Sequence, residues 1–406
     1  MSIRQKAGPF SDQRVESHTL SLEHANVTPL NPPTPSPPPS PWLLRIPEIF
    51  ADAVPEIIRR LDSPCCTKLG HEYYLIRPAA PAALRQAAVA RLVRWNLPVH
   101  HSWPCCPRSM PGFVEKAAQT LARKFSARHP QSLLIGLLDP GSRDTYYKKL
   151  ASNLRGRTLQ LFPPPALPPP ESEDQDPEAA TLFCLLGKEG LFCGLHSPRL
   201  ANGFYAGGTR FISRDSATTI SRAGAKIAEA LHYLRLHRPP PPAHAHWLEL
   251  GASPGGMTAE LLARGYRVTA VDRAPLHPRL AGSPALHFVC GDAASFHPPP
   301  DIRYDAILSD MNGDARDSIR SVLRLTKKLQ PGGLVVFTLK AGGVGTPDEI
   351  DHLCGSVIAL AAAGGLRLLA QTHLTYNRHE FTLFFELGAT AHSNPRSDTS
   401  SSSQPR

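Results

Sequence analysis

The chain lacks any long apolar run: no stretch of about 18 consecutive apolar residues occurs in it. We therefore expect no membrane-spanning helix. Near its start the chain also lacks the apolar core of a signal peptide. Asp12, Glu16 and Glu23 argue against a transit peptide, a class that is poor in acidic residues. A cytoplasmic protein is the expectation that follows.

The cysteines lack the C-x-x-C spacing that is typical of zinc sites, although the chain has eight of them. Four occur as adjacent pairs, Cys65-Cys66 and Cys105-Cys106. Because this spacing is not that of a zinc site and the expected compartment is reducing, we predict free thiols and no metal site.

Proline, by contrast, is abundant, with 43 residues, and many of them fall in two clusters. One runs from Pro32 to Pro41, and the other runs from Pro163 to Glu178. Both compositions favour extended, disordered or linker segments over packed structure. We predict that residues 1–67 are mostly disordered apart from a short helix over 46–60, and that the serine-rich tail 391–406 is disordered as well.

Acidic residues are scarce between Pro81 and Gln160, where three of them face 13 basic residues. The local net charge of +10 equals that of the whole chain, so the remainder is neutral. Such a basic block predicts contact with nucleic-acid phosphates, and an ordinary solvated surface is the alternative. Its basic residues are Arg85, Arg91, Arg94, Arg108, Lys116, Arg123, Lys124, Arg128, Arg143, Lys148, Lys149, Arg155 and Arg157.

Short strands and helices are predicted on both sides of the second proline cluster. Segments 181–186 and 191–195 flank a Gly-Lys-Glu-Gly turn, a pattern typical of a β-hairpin. We expect this hairpin to pair with the strands before the cluster, so that the insert at 163–178 interrupts one α+β module over 68–208. The other predicted elements of this module are strands at 73–76 and 132–138 and helices at 80–94 and 112–128.

From about residue 209 to 390, predicted strands alternate with predicted helices. This rhythm indicates an α/β fold with a largely parallel sheet and helices on both faces. Ligands on such sheets bind beyond the carboxyl ends of the strands. The predicted strands lie at 246–250, 267–271, 286–289, 304–309, 334–339 and 381–387, and the predicted helices at 220–236, 257–264, 317–329 and 347–363.

A glycine-rich turn follows the first of these strands, but it is not the G-x-G-x-x-G fingerprint of dinucleotide-binding proteins. The turn, Gly251 to Gly256, reads G-x-x-P-G-G and lets the backbone approach a ligand closely. Asp272 ends the next strand, where it could bind ribose hydroxyls, and Asp292 follows the third, where it could meet an adenine amino group. This combination predicts S-adenosylmethionine, whereas the alternative is that both aspartates cap helices.

Four charged residues in separate segments suggest one reaction site: Lys226, Asp310, Lys340 and Glu380. Lys340 ends an otherwise apolar strand, where a charge is costly unless it has a partner or a function. The segment around Asp310 also lacks the N/D-P-P-Y motif of enzymes that methylate amino groups.

A ribose hydroxyl is a chemical target that fits these residue types. It is a weak acid, so its methylation needs a positioned base or a cation that stabilises the developing alkoxide. A second cation and partial burial are expected to favour the neutral form of a lysine. Surface salt bridges are the alternative for each lysine taken alone.

Five segments, SRAGAK, LGASPGG, LSDM, FTLK and NRHEFT, resemble in order the landmarks of the FtsJ-like 2′-O-ribose methyltransferases. Within that family the chain is most similar to the subfamily that methylates a cytidine of bacterial 23S rRNA, with a likeness that extends upstream through residues 191–199 and 209–211. The likeness covers about residues 185–388 well and the N-terminal part loosely. In that subfamily the N-terminal part is a THUMP-type RNA-binding module, and the basic block occupies the corresponding position.

The resemblance implies a class I, Rossmann-like methyltransferase domain over 209–390, S-adenosylmethionine as cofactor and 23S rRNA as partner. It implies Lys340 as the proton acceptor, with Lys226, Asp310 and Glu380 completing a tetrad. The chain departs from the family at Met257, where Trp is common, and at Ala223, where a polar residue is common. The implied cofactor contacts are Gly251, Ser253, Pro254, Gly255, Gly256, Asp272, Asp292 and Asp310.

Two alternatives stay open. The same reaction could act on another RNA such as tRNA, or the chain could be a non-catalytic RNA-binding protein that retains the fold. A protein that only binds RNA has no need for a lysine at the end of a buried strand, which favours the enzyme.

Overall fold

The computed structural model describes residues 40–163, 175–208 and 220–388, all of which lie in one compact unit. The predictions for residues 1–39, for most of the proline-rich insert and for the tail 391–406 lie outside the described residues. So does the upstream motif at 209–211.

The strands are β1 (Trp42–Arg45), β2 (Cys66–Leu69), β3 (Tyr73–Ile76), β4 (Trp95–Pro98), β5 (His101–Pro104), β6 (Ser132–Leu137), β7 (Thr181–Gly187), β8 (Gly190–His196), β9 (His246–Leu250), β10 (Arg267–Asp272), β11 (Leu286–Cys290), β12 (Tyr304–Ser309), β13 (Leu329–Lys340), β14 (Leu366–Thr372) and β15 (Glu380–Leu387). The α-helices are α1 (Val54–Arg60), α2 (Ala87–Ala90), α3 (Phe113–Phe125), α4 (Thr145–Leu161), α5 (Pro198–Ala201), α6 (Ala223–Leu234), α7 (Gly256–Ala263), α8 (Ala315–Leu325) and α9 (Pro347–Ala363).

The N-terminal module, residues 40–208, begins with an antiparallel sheet in the order β2-β3-β1-β4. Its strand β1 lies between β3 and β4, and Leu43 and Leu44 are fully buried. The prediction that residues 1–67 are mostly disordered is therefore wrong for β1 and for the start of β2. The short helix predicted over 46–60 is present as a 3-10 helix at Glu48–Ala53 followed by α1. A four-residue strand beside a proline cluster is too short to produce a clear alternating pattern.

A second sheet of this module has the order β5-β8-β7-β6 and packs against α3 and α4. The predicted hairpin is confirmed as β7 and β8, with Gly187 opposite Gly190. Strand β6 pairs with β7, so the strands on either side of the proline insert join one sheet. This pairing makes the insert an interruption within the module.

The helix predicted at 80–94 is present only in part: it is broken at Gln86 and ends at Ala90. Residues 81–85 form a 3-10 turn, α2 spans only four residues, and Arg91 and Arg94 are buried in the turn that leads to β4. The alanine-rich composition favours a helix, but tertiary contacts override this weak preference. The prediction also missed α4.

The C-terminal region, residues 220–388, contains one seven-stranded sheet in the order β11-β10-β9-β12-β13-β15-β14. Its first five strands are parallel, as predicted, and β15 runs antiparallel between β13 and β14. Strand β14 was not predicted. Along β9, Trp247 packs on the side of α6 and α7 while Leu248 packs on the side of α8 and α9, so helices cover both faces.

Three further findings concern the whole described part of the chain. No described helix is long and apolar enough to cross a membrane. Within the same residues, no group of three or more His, Cys, Asp or Glu side chains could hold a metal ion. All eight cysteines are free thiols.

Candidate active site

A cleft of about 350 Å³ lies at the carboxyl ends of the parallel strands of the C-terminal region. Its size falls within the range of about 300–1,000 Å³ that is usual for ligand pockets. The lining residues come from the ends of β9, β10, β11 and β12, which meet at this edge of the sheet. They are Gly251, Ser253, Val271, Asp272, Arg273, Gly291, Asp292, Ala293, Asp310, Met311 and Asn312.

The glycine turn after β9 forms one wall of this cleft. Gly251 has φ 79°, and a Cβ there would lie 3.0 Å from the backbone of Met311. Only glycine therefore fits without strain. Pro254, Gly255 and Gly256 are not among the lining residues; Gly255 is the N-cap of α7 and Gly256 is its first residue. Of the six turn positions, Gly251 and Ser253 line the cleft.

Asp272, at the end of β10, has a carboxylate that holds the cleft walls together. It accepts hydrogen bonds from the backbone N–H groups of Ser253, at 2.9 Å, and Ala274, at 2.8 Å. A carboxylate oxygen has two lone pairs, so acceptor capacity remains for a ligand. Asp272 thus lies at the edge of the sheet where the sequence placed it, and it lines the cleft.

Asp292, just after β11, also lines the cleft and forms an ion pair with Arg273. The backbone N–H of Ala294 and the Arg273 guanidinium lower the pKa of Asp292 below its ordinary value, so this carboxylate is ionised at neutral pH. Sequence reasoning missed Arg273, although it directly follows the strand-end Asp272.

The four charged residues of the sequence analysis form one ion-pair cluster beside this cleft. Lys340 Nζ donates to Asp310 Oδ1 at 2.6 Å and to Glu380 Oε2 at 2.7 Å. Lys226 Nζ forms an ion pair with Glu380 and lies 3.9 Å from Asp310 Oδ2. Because Asp310 also lines the cleft, the cluster and the cleft share a wall. We call these residues the charge cluster.

The topology explains why these residues meet. Asp310 and Lys340 follow or end neighbouring parallel strands, β12 and β13. Glu380 lies directly opposite Lys340 in the antiparallel pairing of β13 with β15. Lys226 reaches the same place from the first turn of α6. The side chains are 9–21% exposed, so the cluster is partly shielded but open to a substrate.

The protonation of Lys340 differs from the prediction. Burial alone would lower the pKa of Lys340, but the Asp310 and Glu380 carboxylates outweigh it and raise the pKa above its ordinary value. Burial likewise would raise the pKa of Glu380, whereas Lys226 and Lys340 lower it. The predicted neutral form of Lys340 is therefore wrong for this state. Two carboxylates within hydrogen-bonding distance of Lys340 outweigh the effects of burial and of the second cation.

Glu249, in the middle of β9, is a further ionisable residue, which the sequence did not single out. It is 2% exposed and accepts a hydrogen bond from Thr258 Oγ1 at 2.7 Å. Burial raises the pKa of Glu249 to about 8. A carboxyl group inside the apolar segment Trp-Leu-Glu-Leu was the available signal.

The basic residues of the N-terminal module differ in exposure and in ion pairing. Arg91 and Arg94 are each 4% exposed and form ion pairs with acids of the C-terminal region, so they are not available to a nucleic acid. Arg108 and Arg157 pair with acids of their own module. The exposed basic residues of α3 and α4, which we call the basic helix pair, are Lys116, Arg123, Lys124, Lys148 and Lys149.

Known proteins match this chain mainly in its C-terminal region. Residues 219–341 match the family described as FtsJ-like methyltransferase. The chain is 44% identical over 84 residues to ribosomal RNA large subunit methyltransferase M of Halorhodospira halophila, a match that covers 20% of this chain and 24% of that protein. It is 39% identical over 140 residues to the protein of the same name from Laribacter hongkongensis, covering 34% and 38%.

The chain thus spans well under half the length of these curated relatives. Among solved structures, TrmN from Thermus thermophilus overlaps 86% of this chain and 99% of its own at 15% identity, with a TM-score of 0.32. The family match coincides with the glycine turn, Asp272, Asp292, Asp310 and Lys340. The chain therefore contains an FtsJ-like methyltransferase domain.

Proposed function

We propose that this chain transfers the methyl group of S-adenosylmethionine to a ribose 2′-hydroxyl of RNA, at a cytidine of 23S rRNA. The observation that carries the proposal is the charge cluster, which adjoins the cleft through Asp310. A cleft for the methyl donor beside two lysines and two carboxylates is the arrangement that a weakly acidic hydroxyl requires.

The cleft residues fit the proposed cofactor. Gly251 leaves room for a ligand against the backbone, Asp272 retains acceptor capacity for ribose hydroxyls, and Asp292 is an ionised acceptor for an amino group. Gly251, Ser253, Asp272, Asp292 and Asp310 would hold the cofactor, which when bound supplies a methyl group on a positively charged sulfur. Pro254, Gly255 and Gly256 would act indirectly by shaping the turn and starting α7.

Within the charge cluster, each residue has a proposed role. Lys340 accepts the proton of the ribose hydroxyl, and Lys226 orients that hydroxyl and stabilises the negative charge that develops on it. Asp310 and Glu380 fix both ammonium groups and balance their charge. Because the carboxylates raise the pKa of Lys340, this lysine must lose a proton before it can act as the acceptor.

The N-terminal module is proposed to be a THUMP-like RNA-binding module, with the basic helix pair as its contact to phosphates. The support is the concentration of exposed lysines and arginines on α3 and α4. The relatives of the methyltransferase domain carry names that refer to the large ribosomal subunit RNA, which favours 23S rRNA as the acceptor.

The test is methyl transfer in vitro from methyl-labelled S-adenosylmethionine to unmodified 23S rRNA, 16S rRNA and tRNA, followed by digestion to nucleosides. The proposal predicts label in 2′-O-methylcytidine from 23S rRNA. Label in a 2′-O-methyl nucleoside of tRNA would support the reaction but reject the acceptor. Cofactor binding without transfer to any of these RNAs would favour a non-catalytic RNA-binding protein.

A further inference from the structure

Two buried arginines of the N-terminal module reach into the methyltransferase domain. Arg91 forms an ion pair with Asp351 on α9 and donates to Gln371 Oε1 on β14 at 3.3 Å. Arg94 instead contacts Glu229 on α6, with its Nη2 3.2 Å from Glu229 Oε1. The two arginines are equally buried, but they contact different elements of the domain.

The guanidinium of Arg94 is held from several sides. Its Nη1 donates to the backbone oxygen of Asn202 at 3.1 Å, and its Nη2 donates to the backbone oxygen of Gly208. It also lies 5.5 Å from the ring centroid of Tyr233. The guanidinium donates from two of its nitrogens to three acceptors at once. A lysine ammonium does not reproduce this planar arrangement of donors.

Glu229 links α6, the helix that carries Lys226, to the segment before Glu380 through Thr375. It lies three residues after Lys226 on α6, so both side chains project from the same face of the helix. Its Oε1 accepts from the Thr375 hydroxyl at 2.7 Å, and its Oε2 accepts from the Thr375 backbone N–H at 2.9 Å. A carboxylate that is 1% exposed requires such partners, because an unpaired buried charge is costly.

Thr375 belongs to the segment 373–379, which joins β14 to β15 and leads directly to Glu380. The end of this segment is tied to the cluster a second time, because the backbone oxygen of His379 accepts from the N–H of Ala341, next to Lys340, at 2.8 Å. The N-terminal module adds another contact here, as Phe50 stacks on Phe381 with ring centroids 5.5 Å apart.

We propose that Arg94 is a positioning residue: through Glu229 and Thr375 it holds the helix that carries Lys226 and the segment that leads to Glu380 in register with each other. The N-terminal module thereby completes the geometry of the charge cluster in addition to contacting RNA. The expected change in kcat rests on the proposed function, whereas the expected loosening of residues 373–380 does not.

The experiment compares Arg94→Ala, Arg94→Lys and Glu229→Gln with the matched control Arg91→Ala in the full chain. Hydrogen–deuterium exchange, read by mass spectrometry, reports the backbone of residues 373–380 without any need for activity. We expect the Arg94 and Glu229 variants to speed exchange there, and Arg91→Ala to speed exchange in α9 instead.

Methyl transfer provides the second readout. For Arg94→Ala we expect kcat to fall about tenfold while the KM for S-adenosylmethionine stays within about twofold, because the cofactor cleft is not contacted. Arg94→Lys should recover only part of kcat, and Arg91→Ala should leave it near that of the wild type even if it lowers thermal stability. If Arg94→Ala does not fold, Arg94→Lys and Glu229→Gln carry both readouts.

The inference is overturned if residues 373–380 exchange at the wild-type rate in the Arg94 and Glu229 variants. It is equally overturned if Arg91→Ala changes that segment and kcat as much as Arg94→Ala does. A wild-type protein that transfers no methyl group to any RNA would reject the proposed function instead, and the exchange of residues 373–380 would still decide the role of Arg94.

Discussion

The charge cluster and the basic helix pair both concentrate charged side chains, but they do so in opposite ways. The cluster balances two lysines with two carboxylates, is mostly buried, and holds each charged group by ion pairs to the others. The basic helix pair is exposed, and its five residues have no ion-pair partner among the described residues. A balanced, shielded set suits chemistry at one atom, whereas an unbalanced, exposed set suits salt-dependent attraction to many phosphates.

This difference predicts how each region responds to substitution. In the cluster, the loss of one residue leaves a partner uncompensated, so single changes should have large effects. On the helix pair each charge contributes a small, similar share, so effects should accumulate with the number of charges removed.

The largest expected effect comes from Lys340. Lys340→Ala should lower kcat by about 10²–10⁴-fold, the usual contribution of a general base, with little change in affinity for S-adenosylmethionine. Lys340→Arg separates the role of proton acceptor from that of a fixed cation, because arginine keeps the positive charge but does not lose its proton near neutral pH. We expect both variants to be inactive in the labelled methyl-transfer assay.

The control for Lys340 is Lys327→Ala, which removes an exposed lysine from the same domain. It should turn over at the wild-type rate. Substantial activity in Lys340→Arg would show that the cation, and not the proton acceptor, is what the reaction needs.

The next largest effect is the dependence of the rate on pH. The carboxylates raise the pKa of Lys340, so at neutral pH nearly all of it is the ammonium form and the neutral fraction grows about tenfold with each pH unit. Single-turnover methyl transfer should therefore increase steadily between about pH 7 and pH 9. A rate that is flat over this interval would contradict the need for neutral Lys340.

On the basic helix pair we expect a smaller effect per residue. Replacing Arg123, Lys124, Lys148 and Lys149 by Gln should weaken RNA binding and reduce the slope of log K against log salt by about 0.7–0.9 for each phosphate that the protein no longer neutralises. Fluorescence anisotropy with an rRNA fragment at several salt concentrations measures this slope.

A quadruple variant with the same loss of charge elsewhere is the matched control. Its four exposed positions lie in the methyltransferase domain: Arg303, Arg320, Lys327 and Arg367. An equal change of slope in both variants would mean that net charge alone, and not the helix pair, attracts the RNA.

The smallest expected effect is on stability and concerns Glu249, which is buried in the middle of β9. Its folded-state pKa is raised to about 8 by burial, from an ordinary value of 4.5. The unfolded chain thus releases this proton first, so the free energy of unfolding should fall between about pH 4.5 and pH 8, by an amount on the order of a few kcal/mol.

Glu249→Gln should remove that part of the pH dependence, because an amide does not ionise. Urea unfolding of both proteins at pH 5, 6.5 and 8 provides the comparison. Parallel pH profiles would contradict the raised pKa.

The sequence predicted the two regions with different success for physical reasons. Asp272, Asp310 and Lys340 could be placed because parallel strands bring their carboxyl ends to one edge. The pairing of Lys340 with Glu380 could not, because it depends on β15 running antiparallel next to β13. The raised pKa of Lys340 could not be predicted either. The direction of this shift depends on how close Lys340 lies to the two carboxylates in the folded chain.

In the N-terminal module, composition located the charge but not its exposure. Arg91 and Arg94 counted toward the basic block, yet both are buried against acids that lie more than a hundred residues away in the chain. Strand β14 and helix α4 were missed for a related reason, since their stability comes from packing against elements that a local pattern does not show.

The central claim is that the charge cluster performs chemistry at a ribose of 23S rRNA. The most direct measurement maps 2′-O-methyl groups in rRNA from cells that carry the wild-type chain, Lys340→Ala or Lys327→Ala in place of their own copy. We predict that one cytidine of 23S rRNA loses its 2′-O-methyl group with Lys340→Ala and keeps it with the other two. An unchanged 2′-O-methyl map in the Lys340→Ala cells would contradict the account.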